Sequence, residues 1–179
     1  MALREILTFP NPLLAETSTD VTSVTDELRT LIRDMVETMY DAPGIGLAAP
    51  QVGVLKNIIV VDVPEEVEGE GEDEPTWQSC LIVLLNPKIE EASGEICYDE
   101  GCLSVPELEV KVRRAREIVV TGLDQNGEDI RLNCSELQAV AVQHEMDHLK
   151  GILITDHASH LKRSLYAKKI KKREKAKKL

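Results

Sequence analysis

Residues 135–150, "SELQAVAVQHEMDHLK", constrain this chain more than any other stretch. Ser135 and Gln138 stand at the spacing of a capping box, in which the Ser135 hydroxyl accepts the Gln138 backbone N–H and the Gln138 side chain reaches back. Gly151 follows as a C-terminal stop, so a helix is predicted from Ser135 to about Lys150. Leu137, Val140, Ala141, His144 and His148 share one face of that helix, and Val142, Met146 and Leu149 cover another. A helix apolar on two sides is central and wrapped by the rest of the fold. Its two histidines therefore point into protein.

His144 and His148 lie four residues apart, one helical turn, so both imidazoles can meet a single cation. Glu145 projects beside the same point, where it can take a proton from bound water. Two imidazoles do not complete a site. The metallopeptidase pattern H-E-x-x-H-x-x-G-x-x-H has its glycine at Gly151, but Ile154 stands where its third histidine belongs. The only downstream glutamate, Glu174, lies in a run of lysines. The third ligand is therefore expected upstream. A thiolate beside two imidazoles suits zinc or iron, and the chain has four cysteines, Cys80, Cys97, Cys102 and Cys134. Ligand chemistry alone does not choose among them.

The remaining sequence frames this helix in a mixed fold. Leu28, Leu31, Ile32, Met35, Val36 and Met39 follow helical spacing after Ser23 or Thr25, which predicts a helix over 25–40. "NIIVVDV" (57–63) and "CLIVLLN" (80–86) read as buried strands, and "EIVVTGLDQNGEDIRLNC" reads as a hairpin turning at Asn126-Gly127. Seven acidic residues between Glu65 and Glu74 mark a solvated, mobile loop. No apolar run is long enough to cross a bilayer, and the start of the chain has no signal or presequence pattern, so a cytoplasmic protein with free thiols is expected. The net charge of -11 is divided unevenly. Residues 162–179 hold ten basic residues and one acidic, a net of +9, which leaves -20 on residues 1–161. One domain over 1–161 and a basic helical tail over 162–179 are expected to serve different ends, with Leu161, Leu165 and Ile170 along one side of the tail.

Two further stretches carry chemistry. "GIGLAAPQ" (44–51) allows close backbone approach through its small residues and offers the Gln51 amide, and "EGCLS" (100–104) holds Cys102. With "QHEMDH" (143–148), these stretches closely resemble the peptide deformylases, which carry G-x-G-x-A-A-x-Q, E-G-C-x-S and Q-H-E-x-D-H in this order. The resemblance runs from about Arg4 to His160. Two stretches depart from the family pattern. The acidic segment 64–79 reads as an insertion, and Glu107 and Glu109 stand where some members carry a basic residue.

The resemblance implies an α+β fold in which antiparallel β-sheets wrap a central helix bearing H-E-x-x-H, with an N-terminal helix and a basic C-terminal helix. It implies that Cys102, His144 and His148 hold one divalent ion, Fe(II) physiologically, with zinc or nickel able to take its place. It implies hydrolysis of the N-formyl group from the initiator methionine of nascent polypeptides, releasing formate. Glu145 is then the acid–base group, while the Gln51 amide and the Leu103 N–H stabilise the oxyanion. Ile45, Gly46, Tyr98, Leu137, Val140 and Ala141 are expected to contact the methionyl substrate. The ribosome is expected to be a partner through the basic tail, with no membrane or DNA partner. Two rivals make different predictions: an H-E-x-x-H metallopeptidase cleaving peptide bonds, and a non-catalytic, metal-stabilised RNA-binding module. The first lacks its usual third ligand, and the second leaves Glu145 without a role.

Overall fold

The computed structural model describes residues 2–67 and 76–177. Helix α1 spans Asp26–Asp41. Thr25 starts it by accepting the Leu28 N–H at 3.3 Å, and Asp26 and Glu27 favour the positive end of the helix dipole. Strand β1 (Gly46–Ala48) leads through a 3₁₀ turn carrying Gln51 to β2 (Ile58–Asp62). A short hairpin of β3 (Glu65–Val67) and β4 (Thr76–Gln78) follows. The acidic segment is thus not a loop throughout: strands form at both ends of it, where Thr76 and Trp77 favour extended backbone. Its centre, 68–75, lies outside the described residues.

Strand β5 runs from Leu81 to Ser93, seven residues beyond the predicted end. Its first half pairs with β2, its second with β8 (Glu117–Leu123), with register shifts after Leu85 and after Ile89. Pairing makes residues 87–93 a strand although they are mostly exposed and carry no alternating apolar pattern. Strand β9 (Asp129–Ser135) completes an antiparallel five-stranded sheet of order β1-β2-β5-β8-β9. The β8–β9 turn falls at Asn126-Gly127, as expected. Asp124 accepts the N–H groups of Asn126 and Glu128, and Gly127 takes φ +88°. Between β5 and β8 lies a separate ribbon of β6 (Ile96–Glu100) and β7 (Val110–Arg114).

Helix α2 occupies Glu136–Leu149 and is buried along most of its length. Ser135 precedes it, but its side chain makes no cap bond. Glu136 adopts a left-handed φ of +48°, which swings the chain sharply out of β9 and sets the predicted cap aside. The C-terminal end is as expected: Gly151 takes φ +70°, and a Cβ there would strike the Ala15 carbonyl. The period of two in β2 explains the layering. Ile59 and Val61 pack with Ala139, Ala141, Val142 and Met146 of α2, while Ile58 and Val60 face Leu31, Ile32, Met35 and Met39 of α1.

A third core lies under the C-terminal end. Helix α3 (Ile154–His157) and helix α4 (His160–Lys177) follow α2. Tyr166 of α4 is buried with Leu14, Val105, Leu108, Val110 and Ile154. The packed face of α4 therefore runs through Tyr166 and Ile170. Leu161 and Leu165, expected on that side, are exposed, because the facing groups are Phe9, Pro106 and Glu107, which a tyrosine and long cations reach best. Among the described residues, no helix is long and apolar enough to cross a membrane.

Candidate metal centre

The i, i+4 spacing on α2 places the His144 and His148 rings 5.1 Å apart, nearly edge to face. Cys102 enters from the loop after β6, its Sγ 3.2 Å from His148 Nε2. One ligand atom from each of the three residues lies within 4.8 Å of the others. The other cysteines are not in this group. Cys97 is exposed on β6, Cys80 precedes β5, and Cys134 sits in the apolar core, where burial pushes its thiol up to about 11.

The donor set, a thiol and two imidazoles, fits a divalent cation. Burial disfavours charge on His144, yet its hydrogen bonds to Cys102 and Glu100 outweigh that and raise it well above the usual imidazole value. His148 is driven well below that value by burial and by the charges of His144 and Arg114.

Glu145 is buried beside this cluster, and its Oε2 has no hydrogen-bond partner among the described residues. Burial pushes its carboxyl up to about 7. Gly46 of β1 makes room for it. A Cβ at Gly46 would stand 2.9 Å from the Glu145 side-chain carbons, so only glycine allows the strand so close.

Gln51 is held by both ends of its amide. Its Oε1 accepts the Ala48 N–H at 2.7 Å, and its Nε2 donates to Ser104 Oγ at 3.1 Å and lies 3.7 Å from Cys102 Sγ. The N-terminal segment fixes both loops from outside: Leu7 N–H donates to the Gln51 carbonyl and Phe9 N–H to that of Ser104.

A cavity of ≈ 380 Å³ opens onto these groups. Ile45, Gly46 and Leu103 form one side and Tyr98 another. Leu137, Val140 and Ala141 form the wall along α2, while Gln51, Cys102, His144 and Glu145 also line it. His148 lies deeper, almost wholly buried. The structure therefore brings all twelve sequence-assigned residues to one place.

It also adds a buried charge network that the sequence reading did not single out. Glu100 accepts from His144 Nδ1 at 2.7 Å and from Arg114 at 2.8 and 2.9 Å. Arg114 reaches on to Asp147 at 2.6 Å, and Asp147 meets His157 at 3.0 Å. Burial alone would raise the Glu100 carboxyl, but the bonds from Arg114 and His144 outweigh it and hold it at about 2. Glu100 thus stays ionised and fixes the ring of His144, leaving Nε2 toward Cys102. One signal in the sequence points to this. Val110, Val112 and Arg114 alternate onto the buried face of β7, and an arginine in step with two buried valines needs a buried acid.

The polypeptide deformylase family pattern matches residues 3–164. The chain belongs to this family. Its deformylase relatives include a peptide deformylase of Rhizorhabdus wittichii, 49% identical over 179 residues and 99% of each chain. One of Thermodesulfovibrio yellowstonii is 45% identical over 171 residues, 96% of this chain and 98% of the relative. Solved deformylases share the fold. That of Ehrlichia chaffeensis, in complex with actinonin, superposes with a TM-score of 0.88 at 38% identity, covering 97% of this chain and 99% of the other. The mixed architecture of antiparallel sheet around an H-E-x-x-H helix is that of these deformylases, and the family is one of metal-dependent hydrolases.

Proposed function

We propose that this chain removes the N-formyl group from the amino-terminal methionine of nascent polypeptides and releases formate. The observation that carries it is the buried carboxyl of Glu145, whose Oε2 has no partner among the described residues, beside the Cys102–His144–His148 cluster and lining a cavity whose walls are largely apolar. Cys102, His144 and His148 would hold one divalent ion. Such an ion, when bound, supplies a Lewis acid and a water whose pKa falls toward about 7.

Glu145, buried beside the three ligands, would serve as the acid–base group, accepting a proton and returning it to the leaving amine. Gln51 and Leu103 line the cavity, and the Gln51 amide and the Leu103 N–H would stabilise the oxyanion, one such donor contributing about 3 kcal/mol. Leu137, Val140 and Ala141 offer an apolar wall to the thioether, with Gly46 deep beside Glu145 and exposed Ile45 and Tyr98 toward the opening. Glu100 and Arg114 hold His144 in place. Iron(II) is the proposed physiological ion. Its thiolate site would be open to oxidation at Cys102, while zinc or nickel would use the same three ligands.

The catalytic domain is proposed to be residues 1–161, with the following helix packed against it through Tyr166 and Ile170, and to act in the cytoplasm. The basic helix over 162–179 would dock it to ribosomal RNA, where its substrate emerges. Lys162, Lys168, Lys171, Lys172 and Lys175 are exposed and available for this. Neutralising these lysines, rather than deleting the helix, tests docking without removing buried Tyr166. Ribosome sedimentation at low salt should fall, and unchanged sedimentation would refute docking.

The activity is tested by formate release from formyl-Met-Ala-Ser, set against cleavage of free Met-Ala-Ser. Release should need the metal and stop with a chelator, and the free peptide should stay intact. Cleavage of the free peptide would point to a metallopeptidase, and no turnover of either to a binding module.

A further inference from the structure

We infer that helix α4 positions the Cys102 thiolate by clamping the loop that follows it, with Glu107 as the contact point. This rests on the reading of Cys102 as a metal ligand. From Cys102 the chain turns at once, Val105 N–H donating to the Cys102 carbonyl at 2.9 Å. Val105 then enters the third core, fully buried beside Tyr166 and Leu108. Pro106 and Glu107 follow, and α4 holds both. The Tyr166 hydroxyl donates to the Pro106 carbonyl at 3.0 Å. The Glu107 carboxylate takes Lys169 Nζ at 2.8 Å and the two terminal nitrogens of Arg173 at 2.7 and 3.0 Å.

The three holding residues are spaced for one purpose. Tyr166, Lys169 and Arg173 stand at i, i+3 and i+7, one stripe of the helix, with Ile170 packed between them. The loop end of the clamp is strained. Glu107 adopts φ +62°, a left-handed conformation that a residue with a Cβ rarely takes. A side chain in that conformation without a partner would let the backbone relax. Here the carboxylate is tied to two cations, one of them through both prongs of a guanidinium. A single exposed ion pair does little, but a forked arginine joined by a lysine is the geometry in which surface charge does hold position. The Arg173 and Lys169 bonds accordingly hold the Glu107 carboxyl at about 2.

Only four residues separate Glu107 from the thiol, and the intervening Ser104 is itself bonded to Phe9 and Gln51. Release at Glu107 therefore passes to a loop that has little slack. Glu107 touches no reacting atom, so it is a positioning residue. Its loss should appear in the behaviour of the thiol, beyond any change in melting temperature.

The test uses the full chain. Alkylation by iodoacetamide, read for each cysteine by mass spectrometry in metal-free protein, compares Cys102 with exposed Cys97. Release of zinc to a chelator is followed in the loaded protein. In Glu107→Gln both the Cys102 alkylation rate and the zinc release rate should rise about tenfold, the lower end of what losing an outer partner of a metal site costs. Cys97 should be unchanged. A charge exchange, Glu107→Lys with Lys169→Glu and Arg173→Glu, should restore both rates most of the way. Wild-type rates in Glu107→Gln would overturn the clamp, as would a rise at Cys97 equal to that at Cys102, which would mean general loosening. Failure to hold zinc at all would count against the metal reading, while the alkylation rates would still judge the clamp.

Discussion

Helices α2 and α4 follow one another in the chain and are held in opposite ways. Nine of the fourteen residues of α2 are buried, and its ionisable groups, apart from exposed Glu136 in the first turn, lie among apolar neighbours or buried partners. Of the described side chains of α4, only Tyr166 is buried, and the helix meets the body through that ring, Ile170 and a pair of cations. Glutamates show what the difference does. Burial pushes Glu145 on α2 up to about 7, whereas Glu107 under α4 is drawn down to about 2 by Arg173 and Lys169. In the first setting the protein interior decides protonation, which suits the proton transfer proposed for Glu145. In the second, solvent-facing partners decide it, and added salt can undo their work.

The comparison breaks first at Glu145. Glu145→Gln keeps the shape and the three proposed ligands but cannot accept a proton. Metal content should stay at one per chain while turnover of a formyl-methionyl peptide falls by about 10²-fold or more. Near-normal turnover by a fully loaded variant would mean that the buried carboxyl is a packing feature, no different in kind from Glu107.

The next largest effect is expected at the boundary between the two regimes. Arg114 is buried like α2 but charged like α4. Arg114→Met leaves Glu100 and Asp147 without their cation, and removing one member of a buried pair destabilises by about 3–5 kcal/mol. Adding Glu100→Gln should recover part of that loss in urea unfolding. A loss under about 1 kcal/mol, the range of exposed pairs, would place this network with the surface charges of α4.

Tyr166 sharpens the comparison at α4 itself. Tyr166→Ala empties a buried aromatic position and should cost about 3 kcal/mol, at the low end for large side chains. Tyr166→Phe removes only the bond to the Pro106 carbonyl and should cost about 1 kcal/mol. Equal, small losses from both would mean that α4 is attached by charge alone.

How much of this could be read from the sequence follows the same division. Features set by neighbours in the chain were legible. The start of α1 at Thr25, the Asn126-Gly127 turn and the stop at Gly151 are each determined within a few residues. So was the H-E-x-x-H pair, because helical spacing alone brings it together. Features set across the fold were not legible. Ser135 has the spacing of a cap, but the left-handed Glu136 turns the chain away from it. Cys102 is one of four cysteines that ligand chemistry alone does not separate. The partner of Glu100 depends on which face of β7 turns inward, and the packed stripe of α4 depends on what Phe9, Pro106 and Glu107 present to it. Leu161 and Leu165 are the more apolar residues there, yet they face outward.

The smallest effect expected is also the one that separates the two helices most cleanly. A carboxyl held below its ordinary value contributes stability that is complete above that value and is lost as pH falls through the lowered one. For Glu107 the window runs from about 4.5 down to about 2. Other acids titrate in the same window, Glu100 among them, so the useful quantity is the difference between wild type and Glu107→Gln. Hydrogen exchange in α4, measured at low salt, should be faster in the variant at pH 6, by less than about tenfold for a solvent-exposed network. The two proteins should converge as the pH drops toward 2, because protonated Glu107 then offers no more charge than glutamine. They should also converge at pH 6 in high salt, where exposed pairs are screened. Exchange in α2 should show neither convergence, since no contact of that helix runs through Glu107. A gap that persists at low pH and high salt would mean that Glu107 holds α4 by shape and hydrogen bonding, and that charge is not what distinguishes the two helices.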